Sequence, residues 1–98
     1  MPTQKTIDTD WSWFSDYGYL WATWTVNCPP DRTCQVGMGV MAFDEPRGEK
    51  IRFSGAQKIT TVLLGAIHIR VVDGKGPCVV RLDEGDVGLL SIVDGKFP

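Results

Sequence analysis

Tyr19-Leu20-Trp21-Ala22-Thr23-Trp24-Thr25-Val26 divides cleanly by parity. Leu20, Ala22, Trp24 and Val26 form one apolar row, and Tyr19, Trp21, Thr23 and Thr25 form the other. Successive side chains of a strand point to opposite faces, so period two with aromatic and β-branched residues marks a half-buried β-strand. Gln35 to Phe43 alternates in the same way, placing Val36, Met38, Val40 and Ala42 inward and Gln35, Gly37 and Gly39 outward. Working outward, Lys50–Phe53 is a short strand burying Ile51 and Phe53. Lys58–Leu64 is apolar on both parities towards its end and suits a central strand. Ala66–Val72 buries Ile67, Ile69 and Val71 and turns His68 and Arg70 outward. Cys78–Leu82 and Val87–Val93 complete the set.

The punctuation agrees. Asp44-Glu-Pro-Arg-Gly48, Asp73-Gly-Lys-Gly76 and Asp83-Glu-Gly-Asp86 are turn sequences, and Asp-Gly readily takes the positive φ of a tight hairpin. Residues 1–10 suit a strap or edge strand, and residues 11–19 an aromatic loop. No stretch carries a helical period of useful length. About seven short strands joined by such turns predict an all-β chain, a small antiparallel sandwich or barrel formed by residues 1–98 as one domain. The repeat of Ile51-Arg-Phe53 in Val80-Arg-Leu82 needs no duplication, because successive hairpins produce it. Gly65 to Val93, with Gly85-Asp86 between two strands, resembles the turn-rich hairpins of cupin barrels. That resemblance implies a barrel with a metal-binding histidine cluster, which His68 alone cannot supply.

Composition narrows the function classes. Ninety-eight residues with 43% hydrophobic and 22% charged side chains can bury a modest core without metal or disulfide help. Ten basic and twelve acidic side chains are interspersed, for a formal charge of −2, so no basic stripe favours nucleic acid. No apolar run reaches the roughly 20 residues of a membrane-spanning helix. Met-Pro-Thr-Gln-Lys lacks an apolar leader, so a cytoplasmic location is expected, or a secreted one if a leader has been removed.

No catalytic set emerges. The single histidine, His68, lies mid-strand with no Ser or Cys tied to it by a motif. Asp8, Asp10, Asp16, Asp83, Glu84 and Asp86 sit mostly in turns, where Asp bonds its own backbone. Gly37-Met-Gly39 lies within a strand rather than before a helix, so it is no phosphate loop. Neither a cofactor nor a metal site is expected. Cys28 and Cys34 bracket Pro-Pro-Asp-Arg-Thr and are a candidate disulfide, or plain strand-end thiols in a reducing compartment. Cys78 belongs to the inward row.

The anomaly is aromatic. All four tryptophans and both tyrosines fall between residues 11 and 24. Trp24 has core parity. Trp11, Trp13, Tyr17, Tyr19 and Trp21 are the candidate contact residues, because flat rings bury large area with few rotors to freeze. Packing offers an alternative: Trp21 covering the bare backbone of Gly37 and Gly39, and the loop rings plugging one end of the fold. A second candidate is an anion site of His68, Arg70 and Arg81, if Asp73–Gly76 closes a hairpin that sets His68 opposite Arg81. Like charges there require an acidic neighbour such as Asp83. The function expected is a non-enzymatic interaction module that uses residues 11–21 to contact a protein partner or itself. The first alternative is a glycan-binding domain using the same rings. The second is a ligand-binding or enzymatic barrel with its pocket near His68.

Overall fold

The computed structural model describes residues 2–14, 21–62 and 67–86, apart from the side chains of Pro2 and Trp13. Ten strands cross these residues: β1 (Pro2–Ile7), β2 (Ser12–Trp13), β3 (Trp21–Asn27), β4 (Cys34–Met38), β5 (Met41–Ala42), β6 (Glu45–Pro46), β7 (Lys50–Phe53), β8 (Ala56–Val62), β9 (Ile67–Val71) and β10 (Gly76–Asp86). They form two four-stranded antiparallel sheets, ordered β1-β10-β3-β8 and β2-β9-β4-β7, and a two-stranded ribbon of β5 and β6. The chain is all-β, with no helix among the described residues.

One core lies between the sheets. Ile7, Ala22, Trp24, Val26, Ile59, Cys78 and Val80 of the first sheet share a cluster with Cys34, Val36, Ile67, Ile69 and Val71 of the second. Alternation put them there: β3 reads half-buried, buried in strict turn from Trp21 to Val26. The inner face also takes one polar pair. Trp24 Nε1 donates to Thr61 Oγ1 at 3.2 Å, so the indole N–H is not stranded in the core. Neither sheet closes on itself among the described residues, so the closed barrel implied by the cupin resemblance is not seen among them. Two open sheets around one core are compatible with a sandwich.

Four local expectations are corrected by pairing. β4 ends at Met38 instead of running to Phe43, because Gly39 turns to φ 89° and leaves Val40 exposed. Asp73–Gly76 does not close a hairpin. β9 lies between β2 and β4, so its edges are taken, and the chain crosses to the other sheet, where β10 runs between β1 and β3. Asp73 spends its turn chemistry elsewhere: its Oδ1 accepts the Thr33 N–H at 3.1 Å. Asp83-Glu-Gly-Asp86 is not a turn but the end of β10, carried past its acidic run by a bulge between Leu82 and Glu84. The bulge shifts parity, so Glu84 pairs with outward Thr23 instead of entering the core. β8, expected to be central, is an outer strand of its sheet among the described residues. Leu63, Leu64 and the strand expected over Val87–Val93 lie outside the described residues.

The ribbon decides where a site can form. Phe43 and Asp44, at φ 53° and 70°, make the two-residue link between β5 and β6, the positive pair that a tight hairpin needs. Gly48 N–H donates to Met38 O at 2.7 Å and Arg47 N–H to Val40 O at 2.9 Å, folding the ribbon back over the outer face of the second sheet. Pro46 lands on Gly37, where there is no Cβ to obstruct it.

Candidate functional site

Trp11 comes first, because the structure assigns it the role expected of Trp21. The tip of its ring (Cη2) lies about 3.3 Å from where a Gly37 Cβ would stand, and Pro46 lies closer still. Trp11 and Pro46 therefore cover the bare backbone of β4. Trp21 belongs to the other sheet, where it pairs with Val62 on one side and Asp86 on the other.

Arg70 fixes the indole. Its guanidinium carbon lies 5.4 Å from the Trp11 ring centroid, within cation–π range. Its Nε donates to Gln35 Oε1 at 2.9 Å and its Nη1 to Thr9 O at 3.4 Å. Thr9, Asp10, Trp11, Met41 and Asp44 then line an open groove of about 510 Å³, within the range of small-ligand sites. One wall is the β1–β2 link and the other is the ribbon. At the ribbon tip Phe43 is 93% exposed, with Val40 and Met41 also exposed nearby in sequence.

His68 faces outward as its parity demands, yet it is only 1% exposed. Its neighbours across the strands are Trp13 on β2 and Gly37 on β4, and the ribbon has folded over that face. Nε2 lies 3.1 Å from Gly39 O, so that nitrogen carries the proton and donates it. Burial draws the imidazole below its ordinary 6.5, with the Gly39 bond opposing the shift.

The anion site does not assemble. His68 and Arg70 belong to β9, whereas Arg81 belongs to β10 in the other sheet. Arg81 instead meets the acidic neighbour the charge argument required: its Nε donates to Asp83 Oδ1 at 2.8 Å. Asp83 Oδ2 also accepts Thr25 Oγ1 at 2.6 Å and lies 3.4 Å from Lys58 Nζ. The Thr25 bond chiefly holds this carboxyl below its usual range, aided by Arg81 and Lys58 and opposed by burial. Three strands are tied together on the outer face of the first sheet.

The remaining candidates divide. Trp21 is half-exposed on that outer face, opposite Val62, itself 66% exposed. Trp13 contributes backbone to β2, while Tyr17 and Tyr19 lie outside the described residues. Cys28 and Cys34 are joined in a disulfide that ties the end of β3 to the start of β4, linking the two sheets. Cys78 is a buried free thiol, its pKa pushed up to about 11 by desolvation.

No family model, curated protein or solved structure matches this chain. The site must be read from its own chemistry. Among the described residues no three His, Cys, Asp or Glu side chains converge as a metal site. Nor is any described helix long and apolar enough to cross a membrane. Sequence reasoning missed Met41, Phe43 and Asp44, because they seemed to belong to a strand and its following turn. The one available signal was Asp44, a residue type that tolerates left-handed backbone next to an aromatic residue.

Proposed function

We propose that this protein is a binding module whose contact surface is the Trp11 groove together with the Phe43 ribbon tip. Phe43 carries the reading. A non-glycine residue at positive φ costs roughly 1–2 kcal/mol, and here the strained position holds a phenyl ring in water. On the opposite wall of the groove stands an indole held by Arg70 and packed at Gly37 with Pro46, so little side-chain entropy remains to be lost on binding. A rigid ring in a groove and an exposed ring on the ribbon that forms one of its walls suit a protein partner, for which aromatic anchors are the usual centres of affinity.

Panning a phage-displayed peptide library on the full chain tests this. Peptides enriched on the wild type and lost on Phe43→Ser are the expected result, with the melting temperature unchanged. A glycan reading draws on the lining itself, since Thr9, Asp10 and Asp44 can accept or donate to hydroxyls around the Trp11 ring. Glycan-array signal that survives Phe43→Ser, with no enriched peptides, would favour it. Concentration-dependent mass in ultracentrifugation, abolished by Phe43→Ser, would identify the partner as a second copy.

A further inference from the structure

The geometry points to a cationic side chain, an arginine or lysine of an extended partner segment, as the group that enters the Trp11 groove; this rests on the binding-module reading. Two acidic residues line the groove, Asp10 on the wall of the β1–β2 link and Asp44 on the ribbon wall, together with Thr9, Trp11 and Met41. Asp8 adds a negative charge next to Asp10 in the chain, its Oδ1 accepting the Asp10 N–H at 2.8 Å. Arg70 offsets one of these charges, but it is committed to Gln35, Thr9 O and the indole. Glu45, next along the ribbon, is neutralised by Lys50 at 3.4 Å. The lining residues therefore carry two negative charges and no positive one, and their types are those a guanidinium or ammonium group selects: carboxylate, aromatic and thioether side chains.

A bare divalent cation fits poorly, because no third carboxylate, His or Cys converges with these two among the described residues. An anionic ligand would meet two carboxylates directly. A long cationic side chain satisfies both halves of the groove, its aliphatic stem lying on Trp11 and Met41 while its head reaches Asp10 and Asp44. Phe43, next to Asp44 on the ribbon and exposed, is available to the neighbouring apolar residue of the same segment.

Two fluorescein-labelled heptapeptides test the inference: one with a central arginine flanked by leucines, and its twin with uncharged citrulline at the centre. Anisotropy titrations use the full chain and the double variant Asp10→Asn, Asp44→Asn, in which asparagine keeps both shapes and tolerates the positive φ at position 44. The wild type is expected to bind the arginine peptide at least about tenfold more tightly than the citrulline peptide, and the preference should shrink in high salt. The double variant should lose the preference while keeping the wild-type melting temperature. Equal binding of the two peptides, both abolished by Phe43→Ser, would overturn the cationic inference and leave the binding module standing. A preference that survives in the double variant would also overturn it, by placing the cation elsewhere. Binding of neither peptide would overturn it too, and the library selection would then decide the module reading by itself.

Discussion

Gly37→Ala is the sharpest probe of the layer that builds the groove. An alanine Cβ at this position would stand 2.8 Å from Pro46 Cβ, nearer still to Pro46 Cγ, and 3.3 Å from Trp11 Cη2. Pro46 is a rigid ring held in the ribbon, and Trp11 is pinned by Arg70, so neither can swing aside as a flexible chain end would. Overpacking of this kind costs about 1–3 kcal/mol. Replacing glycine returns about 0.4–1 kcal/mol by restricting the unfolded chain. A net loss of about 1–2 kcal/mol follows, roughly 5–15 °C in melting temperature for a chain of this size. Urea unfolding of the wild type, Gly37→Ala, Pro46→Ala and the double variant forms a thermodynamic cycle. The two substitutions should couple favourably by about 1 kcal/mol, because Pro46→Ala removes the Cγ, the closest of the atoms the new methyl meets, and frees the remaining Cβ from its ring. An additive cycle, or a Gly37→Ala protein as stable as the wild type, would refute the claim that the ribbon rests on β4 at this point. The groove would lose its wall with it.

Three other outcomes are expected. Thiol titration should find no reactive cysteine in the native protein, one after denaturation without reductant, and all three after reduction; Cys28→Ala with Cys34→Ala should cost roughly 2 kcal/mol in urea, given the short loop that the bond closes. His68 has its folded pKa lowered, so the unfolded chain takes up the proton first; stability should be full above pH 6.5 and fall as pH drops below it, and His68→Gln should flatten that slope in urea titrations from pH 8 to 5. Asp83 behaves alike at lower pH: its contribution should be present above 3.8 and lost as pH falls through its lowered folded value, and Asp83→Asn or Thr25→Val should reduce this acid sensitivity in thermal melts.

Local pattern determined much of this protein. The parity of Trp21 to Val26 put Ala22, Trp24 and Val26 in the core and Trp21 outside it, and the rows Val36, Ile67, Ile69, Val71, Cys78 and Val80 are buried as alternation requires. Parity is a property of a single strand, set by the backbone pleat and legible from neighbours two residues apart. Which strands lie side by side is a different matter, decided by contacts far apart in the chain. The same Asp-Gly can close a hairpin or, as at Asp73, cap Thr33 and send the chain to another sheet. Nor does parity say whether an outward face meets water. His68 and Gly37 point away from the core and are nonetheless buried, because the ribbon that reverses at Phe43 and Asp44 is folded back over them. That fold-back brought Trp11, Met41 and Asp44 to one groove from opposite ends of thirty-odd residues of chain. Only the assembled sheets could supply the floor on which it rests.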